Sequence, residues 1–239
     1  GRGGHIHLDA RVTGGVETAH GIELHGNFLP HSAAKVVFCG GLQADRLARA
    51  FGAAVDFRII PFRGDYFAIQ NQPADLVRHL IYPIPDPDRP FLGVHLTRKM
   101  NGGFTVGPSA VLAGAREGYA KTDFNLRDIG SALSYPGYWR LMARNAGSAA
   151  DELSAALSTR LYLRKVRKYC ARIRLTDLTP YKAGIRAQAV GRDGRMIDDF
   201  LFVQTRHSLH VCNAPSPAAT SALPIADHIV ATLLAEKAA

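Results

Sequence analysis

The stretch from His210 to Thr220 constrains the fold of this chain more than any other part of the sequence. Its order of residues, His-Val-Cys-Asn-Ala-Pro-Ser-Pro-Ala-Ala-Thr, is typical of a strand end, a tight loop and the start of a helix. Ser216 is predicted to cap that helix and Pro217 to open it, because proline lacks the N–H that would stay unpaired there. The remaining N–H groups would converge and favour negative charge. An ordinary strand-to-helix turn is the alternative.

Composition limits the classes of protein to which the chain can belong. Its 239 residues are 47% hydrophobic and its mean hydropathy is −0.03, which indicates one large globular domain or two small ones. No apolar run reaches the roughly 18 residues that a membrane-spanning helix needs, and no signal-peptide pattern opens the sequence. Cys39, Cys170 and Cys212 match no zinc or disulfide spacing, so we expect reduced thiols in a cytoplasmic protein.

The net charge of +9 favours acidic partners such as anionic metabolites, nucleic acid or an anionic membrane surface. Residues 160–174 are rich in Arg and Lys and hold no acidic side chain. A solvated helix face explains such a run, and a patch for nucleic acid or lipid headgroups is the alternative. No recognition motif accompanies the run, so we expect no nucleic-acid partner.

The first part of the chain alternates between strands and a short helix. Residues 5–12 and 16–25 are predicted strands of a hairpin that turns at residues 13–15. Residues 34–39 form a strand that passes through Gly40-Gly41 into a helix ending at Gly52, because Ala44, Leu47, Ala48 and Phe51 have helical spacing.

From Phe57 onward the pattern becomes mainly β, then helical, then β again. Asn101-Gly102 predicts a hairpin turn, and residues 86–90 predict a rigid surface turn. Residues 125–169 are predicted to be helical, with Ser148 capping the later part. Pro224 is predicted to bend the last helix of the chain, near its start. The predicted strands are residues 57–69, 80–84, 91–98, 103–106, 184–190, 199–204 and 208–212, and the predicted apolar stripe of the helical region is Leu153, Leu157 and Leu161.

This pattern predicts an α+β fold with two domains. Residues 57–190 form a sheet domain, and residues 1–56 together with 191–239 form the other. A chain that leaves a domain and returns to it often places a ligand site at the junction.

The sequence carries no recognisable catalytic motif. The sequence contains no complete triad motif, P-loop or zinc-protease motif. His5 and His7 would share one strand face, but a metal site needs more ligands, so no metal is expected.

Two side chains on predicted strands are candidates for chemistry. Alternation places Arg186 and Gln188 on one face of a strand, and an arginine there is costly to bury unless it meets an anion such as a carboxylate. An internal salt bridge or an exposed edge is the alternative. His95 shares a strand face with Thr97, where a neutral imidazole accepts a proton at physiological pH; a structural histidine is the alternative.

Six stretches, taken together and in order, resemble the FAD-dependent oxidoreductases of the D-amino-acid oxidase superfamily. Within that superfamily the similarity is greatest to the members that oxidise L-2-hydroxyglutarate. The stretches are VFCGGLQADRL at 37–47, FRIIPFRGDY at 57–66, LIYPIPDP at 80–87, FLGVHLTR at 91–98, AGIRAQ at 183–188 and NAPSPAAT at 213–220.

The resemblance implies an α/β remnant of a Rossmann-like FAD-binding domain and a substrate domain with an antiparallel sheet. It places the turn of Cys39, Gly40 and Gly41 beside the flavin. The following loop would face the flavin ring, where backbone N–H groups stabilise the negative charge of the reduced N1/O2 edge. That loop comprises Asn213, Ala214, Pro215, Ser216, Pro217, Ala218, Ala219 and Thr220.

One part of the family pattern is not found in this sequence. Family members begin with a strand, a GxGxxG turn and a helix that hold the ADP pyrophosphate. We therefore expect the sequence to correspond to about the C-terminal three-fifths of such an enzyme, and an inert fragment or binding module is one alternative.

The resemblance also implies a reaction. It predicts FAD-dependent oxidation of an L-2-hydroxy acid, with L-2-hydroxyglutarate as the expected substrate, by hydride transfer to the flavin. Arg186 would bind the C1 carboxylate, His95 would take the hydroxyl proton, and Arg63 or Arg98 would meet the distal carboxylate. An amino acid or glycerol phosphate is the alternative substrate. A peripheral contact with the inner membrane, with electrons passing to quinones, is compatible with this chemistry.

Overall fold

The computed structural model describes residues 3–73, 75–84 and 93–235. These residues form two compact units, of which the first lies within 1–59 and 197–239 and the second within 60–196. The chain passes between the units at residues 59–60 and 196–197, a few residues after the predicted boundaries at 56–57 and 190–191. Helices and open sheets occur together, so the predicted α+β class is confirmed.

The secondary structure consists of short strands and short helices. The strands are β1 (Val12–Glu17), β2 (Ile22–Gly26), β3 (His31–Ala33), β4 (Val36–Phe38), β5 (Phe57–Ile69), β6 (His95–Arg98), β7 (Phe104–Gly107), β8 (Val111–Leu112), β9 (Leu178–Gly191), β10 (Leu201–Gln204) and β11 (Ser208–Asn213). The helices are α1 (Ala44–Ala50), α2 (Leu126–Leu133), α3 (Pro136–Arg144), α4 (Ala146–Leu157), α5 (Thr159–Arg167) and α6 (Ala222–Leu234).

The first sheet of the first unit has the antiparallel order β1-β2-β3. The predicted hairpin of strands 5–12 and 16–25 is wrong, because residues 3–11 form no strand. The hairpin instead runs from β1 to β2 through a turn at residues 18–21, where the Thr18 N–H donates to the Gly21 carbonyl at 2.7 Å. The predicted turn at residues 13–15 is wrong because Gly15 lies inside β1. A Cβ there would come within 2.5 Å of Cε1 of Phe51, so this glycine permits close packing of α1 against the hairpin.

The second sheet of the first unit has β11 between β10 and β4. β11 is antiparallel to β10 and parallel to β4, with His210 opposite Phe38. The predicted strand–glycine–helix segment is confirmed: β4 leads through the 3-10 turn Gly41–Gln43 into α1, whose buried residues include Ala44 and Ala48. The last helix, α6, packs on β11 through Ile229 and Leu233.

The start of the last helix differs from the prediction. α6 begins at Ala222 with Ser221 at its N-cap position, so the assignment of Ser216 as cap and Pro217 as first residue is wrong. Residues 216–220 form turns instead. Pro224 consequently lies in the first helical turn, where its missing N–H costs no hydrogen bond.

The sheet of the second unit has the order β6-β7-β5-β8, and β9 pairs with β5. The pairings of β5 with β7 and β8, and of β6 with β7, are antiparallel. The hairpin at Asn101-Gly102 is confirmed by the hydrogen bond from the Lys99 N–H to the Gly103 carbonyl. The predicted strand at 80–84 is reduced to a bridge between Ile81 and Leu96. The predicted turn at 86–90 and the start of the strand at 91–98 lie outside the described residues.

The predicted helical region is divided into four helices, α2 to α5. Ser158 caps α5 by accepting from the Leu161 N–H, whereas α4 begins before Ser148, so the predicted cap is wrong. The predicted leucine stripe is also wrong, because Leu153 and Leu157 are 54% and 80% exposed. The break between α4 and α5 changes the helical phase. The core is instead built with Ala155 of α4 and Tyr162, Leu163 and Val166 of α5, clustered with Phe67 and Leu96 of the sheet.

No helix within the described ranges has the length and apolar character needed to cross a membrane.

Candidate functional site

The cofactor residues expected from the sequence emerge at one edge of the first unit. β4 and β11 are parallel neighbours, so their carboxyl ends point the same way. The turn of Cys39, Gly40 and Gly41 follows β4, and the loop of Asn213 to Thr220 begins where β11 ends. Ligands of open α/β sheets bind outside the carboxyl ends of parallel strands, which makes this edge the candidate cofactor site.

The turn after β4 has backbone that a flat ligand can approach closely. Gly41 has φ +48°, and no atom lies within 4 Å of the position that a Cβ would take. The inner side of the same turn is tightly packed, since a Cβ on Gly40 would come within 2.5 Å of Cδ1 of Leu47. Cys39 is exposed, yet partial burial raises the pKa of its thiol. The thiol is therefore protonated near neutral pH and is not poised as a nucleophile.

The loop after β11 is held by side-chain and backbone hydrogen bonds. The amide of Asn213 donates to the carbonyls of Ile197 and Asp199 at 2.8 and 2.7 Å. The N–H groups of Ala218 and Ser221 donate to the carbonyls of Pro215 and Pro217. These two amides are used within the turn, so they do not form the converging helix N-terminus that the sequence analysis expected there.

A buried polar network at the opposite end of the same sheet, where β4 and β11 begin, was missed by the sequence analysis. Nε2 of His210 lies 3.0 Å from Oγ of Ser208, which lies 2.7 Å from Oγ1 of Thr205. That hydroxyl donates to Glu17 of β1 at 3.0 Å, so the network connects the two sheets of the first unit. The imidazole also stacks on Phe38 with 4.5 Å between ring centroids.

The buried histidine of this network is neutral at physiological pH. Burial lowers the pKa of His210 to about 4, although Glu17 acts in the opposite direction. The network was difficult to predict from sequence, because the alternation of Ser208 and His210 is typical of the polar face of a half-exposed strand. In the structure β11 is buried on both faces.

In the second unit, His95 lies within an aromatic cluster. Its ring stacks on Tyr82 at 4.3 Å between centroids and meets the edge of Tyr66 at 6.4 Å. Burial lowers the pKa of His95, and contact with the Gly93 backbone partly offsets this. The ring is therefore neutral near pH 7 and able to accept a proton.

Arg186 lies near this cluster on β9. Its side chain is exposed, whereas the neighbouring Ile185 and Ala187 are partly buried. Burial raises the pKa of Tyr66 and Tyr82 acts in the same direction, while the Arg186 guanidinium opposes them. Tyr66 thus interacts both with the histidine and with the arginine that the sequence singled out. Tyr66 and Tyr82 were missed, because nothing in their spacing distinguishes them from tyrosines of the core.

The two arginines expected to meet a distal carboxylate are placed differently. Arg63 is only 8% exposed, with Nε 3.0 Å from Oδ1 of Asp65 and a terminal nitrogen donating to the Ala120 carbonyl. Arg98 is exposed at the end of β6. Strand alternation puts it on the face of the buried Leu96, opposite the face of His95. The structure therefore brings neither guanidinium to His95 as an available cation.

The described residues include no cluster of His, Cys, Asp and Glu suited to a metal ion. His5 and His7 are both exposed.

Comparison with known proteins identifies the family. A family model described as FAD dependent oxidoreductase matches residues 1–232. The chain belongs to this family. It is 49% identical over 243 residues to L-2-hydroxyglutarate dehydrogenase of Escherichia coli strain K12, covering 99% of this chain and 57% of that protein. It is 42% identical over 200 residues to the mitochondrial L-2-hydroxyglutarate dehydrogenase of Bos taurus, covering 81% of this chain and 43% of that protein. The chain thus spans about half the length of these relatives.

Solved structures show the same fold. Dithionite-reduced L-alpha-glycerophosphate oxidase from Mycoplasma pneumoniae, with FAD bound, superposes with a TM-score of 0.63 at 19% identity, covering 94% of this chain and 50% of that one. Glycine oxidase from Geobacillus kaustophilus gives a TM-score of 0.50 at 14% identity, covering 94% of this chain and 47% of that one. At these identities the similarity concerns the fold of the family.

Proposed function

We propose that this chain forms part of an enzyme that oxidises L-2-hydroxyglutarate to 2-oxoglutarate with FAD. The observation that carries the proposal is the group of His95, Tyr66 and Arg186, which combines a neutral proton acceptor with a cation suited to a carboxylate. The relatives named L-2-hydroxyglutarate dehydrogenase support the choice of substrate.

The first unit would hold the cofactor. The open space over Gly41 and the exposed loop that starts at Asn213 fit a flat ligand at the ends of parallel strands. Cys39, Gly40 and Gly41 would contact it from one strand end, and Asn213 to Thr220 from the other. FAD, when bound, supplies the acceptor for the hydride.

The second unit would bind and activate the hydroxy acid. The Arg186 guanidinium would bind the C1 carboxylate through two parallel hydrogen bonds. Nε2 of His95 would accept the proton of the C2 hydroxyl, since the neutral ring is the form favoured by burial. Tyr82, stacked on the imidazole, would orient the ring for that transfer.

The distal carboxylate needs a second cation. Arg63 and Arg98 stay the candidates, and each requires a change from the arrangement described. Arg63 would have to exchange Asp65 for the substrate, and Arg98 would have to reach around the end of β6.

A substrate panel under anaerobic conditions tests the reaction. The FAD-loaded enzyme that contains this chain is mixed with L-2-hydroxyglutarate, D-2-hydroxyglutarate, glycerol 3-phosphate or glycine. The loss of absorbance of the oxidised flavin at about 450 nm is then followed. We expect rapid bleaching of the flavin with L-2-hydroxyglutarate and with none of the other three compounds. Faster bleaching with glycerol 3-phosphate or glycine would replace the proposed substrate, and no bleaching with any would contradict the proposed function.

We also propose that α5 makes a peripheral contact with an anionic membrane surface. Quinones in that membrane would then accept the electrons from the reduced flavin. The support is the exposed basic side of the helix, formed by Arg160, Arg164, Arg167 and Lys168. Co-sedimentation with vesicles of anionic lipid should be strong at low salt and lost at high salt. Equal binding to neutral vesicles, or none to anionic ones, would contradict this contact.

A further inference from the structure

A cavity of about 160 Å³ lies within the second unit, away from the aromatic cluster around His95. β5 and the segment that contains β8 form one wall, and α3 and α4 form the other. Neither Tyr66, Tyr82 nor Arg186 lines it. Nothing in the proposed oxidation of a hydroxy acid uses this space.

Both helices present a regular stripe to the cavity. On α3 and its C-cap residue the stripe has spacing i, i+3, i+4 and i+7, and on α4 it continues on one side of the helix. The cavity is therefore a product of helix packing on the sheet rather than of an irregular loop. The stripe residues are Tyr138, Leu141, Met142 and Asn145, followed by Ser148, Ala149, Glu152 and Leu153.

The size and walls of the cavity favour a single ring. Phe62, Leu112 and Leu141 supply apolar surface, and an apolar cavity of about 150 Å³ in another protein accommodates benzene. Met142 adds an adaptable side chain that can close around ligands of slightly different shape. Leu153, 54% exposed, stands at the rim where the cavity meets solvent.

Part of the lining offers hydrogen bonds that the described residues do not use. The hydroxyls of Tyr138 and Ser148 make no hydrogen bond to any described residue. Burial raises the pKa of Tyr138, so its O–H is a donor at neutral pH. Asn145 donates through Nδ2 to the Leu141 carbonyl at 2.9 Å, which engages its N–H end.

The charged residue in the lining is already compensated. Glu152 accepts from the Ala110 N–H at 3.0 Å and pairs with Lys165 at 2.6 Å. No Arg or Lys stands among the residues that line the cavity. An anionic ligand would therefore find no cation, and a cationic ligand would compete with Lys165, so a neutral molecule suits the site.

We propose that this cavity binds an uncharged, single-ring aromatic molecule carrying one hydroxyl or carbonyl group. The ring occupies the apolar space between the sheet and the two helices. The polar substituent hydrogen-bonds to the hydroxyls of Tyr138 and Ser148. Such apolar pockets with a few unpaired polar groups are the usual form of a small-molecule site.

Calorimetric titration of the chain with phenol, benzene and benzoate tests the proposal. We expect saturable binding of phenol, binding of benzene that is weaker by about tenfold because it makes no hydrogen bond, and no binding of benzoate. Tighter binding of benzoate than of phenol would overturn the proposal, as would the absence of saturable binding of phenol.

Two matched substitutions, each of which replaces an alanine of α4 with phenylalanine, show whether phenol binds in the cavity. Ala149→Phe fills the cavity and should weaken phenol binding at least tenfold, whereas Ala150→Phe, on the exposed side of the helix, should leave it unchanged within about twofold. Circular dichroism checks that both variants fold. If Ala149→Phe does not fold, the smaller Ala149→Leu takes its place. Ser148→Ala should weaken phenol but not benzene. Phenol binding that survives filling of the cavity would place the ligand elsewhere and overturn the proposal.

Discussion

The two units place their candidate functional atoms on different parts of the polypeptide. In the first unit the candidates are main-chain turns at the ends of β4 and β11, and the chemistry of their side chains matters little. In the second unit the candidates are side chains, His95 and Arg186, that project from regular strands. The comparison teaches that backbone conformation should govern the first site, whereas side-chain identity should govern the second.

The largest effect is expected at Arg186 in the second unit. In the FAD-loaded enzyme that contains this chain, Arg186→Ala should lower kcat/KM for L-2-hydroxyglutarate about 1000-fold, close to 4 kcal/mol of transition-state binding. Steady-state kinetics measure this. Arg192→Ala, on an exposed turn beyond the same strand, is the control and should retain normal kinetics. Wild-type kcat/KM in Arg186→Ala would remove the arginine from the site.

Replacement of His95 should have the next largest effect. His95→Gln should lower kcat about 100-fold, within the range for loss of a general base. Because burial holds the pKa of His95 below its ordinary value of 6.5, the neutral base predominates above that pH. Wild-type activity should therefore be level above pH 6.5 and should fall as pH decreases below it.

The pH profile of the variant separates a proton acceptor from a structural histidine. His95→Gln should lose the acidic limb of the profile if the imidazole takes the substrate proton. An unchanged acidic limb with reduced kcat would instead assign His95 a structural role.

A third prediction contrasts the two histidines. The pKa of His210 is lowered to about 4 in the folded chain, against about 6.5 in an unfolded one. Below pH 6.5 the unfolded chain binds the proton first, so the stabilisation from the neutral histidine is complete above pH 6.5 and is lost as pH falls toward 4. The loss should reach roughly 3 kcal/mol of unfolding free energy.

Urea unfolding between pH 4 and pH 7.5 measures this loss. His210→Gln, which keeps a side-chain amide for Ser208, should flatten the dependence, whereas His20→Gln, at an exposed position, should not. Parallel pH curves for wild type and His210→Gln would refute the assignment. Stability should thus respond to acid through the first unit and catalysis through the second.

The smallest effect is expected at Gly41. Its φ of +48° is unfavourable for a residue with a Cβ, so Gly41→Ala should lower the unfolding free energy by about 1 kcal/mol, although the added methyl meets no atom. Thermal unfolding measures the change. Gly147→Ala, in helix α4 with open space around it, is the matched control and should stabilise by roughly 0.5–1 kcal/mol. Equal stability of Gly41→Ala and wild type would show that the turn is not constrained by its backbone.

Local patterns predicted the elements whose stabilising contacts are close in sequence. The segment from β4 through α1, the long strand β5 and the hairpin at Asn101-Gly102 are all found. The predicted turn at residues 13–15 was wrong because the contacts that require Gly15 come from the Glu23 carbonyl of β2 and from the ring of Phe51. The start of α6 was misplaced because local turns with Pro215 and Pro217 compete with the helix.

The candidate site was only partly predictable for the same reason. His95 and Arg186 could be identified from strand alternation and charge. Their partners Tyr66 and Tyr82 come from other segments, so their proximity depends on strand pairing and loop placement. The pairing of Arg63 with Asp65 follows from burial, which makes an unpaired guanidinium costly.

The sequence by itself determined the α+β class, the family and the residue types of the candidate chemistry, because composition, periodicity and motifs are local properties of the chain. Only the tertiary structure decided which turns share an edge of the first unit, which aromatic rings surround His95 and where helices leave a cavity on the sheet. Those relations arise from packing between segments far apart in sequence, where burial and close contact select among arrangements that local patterns leave equally favourable.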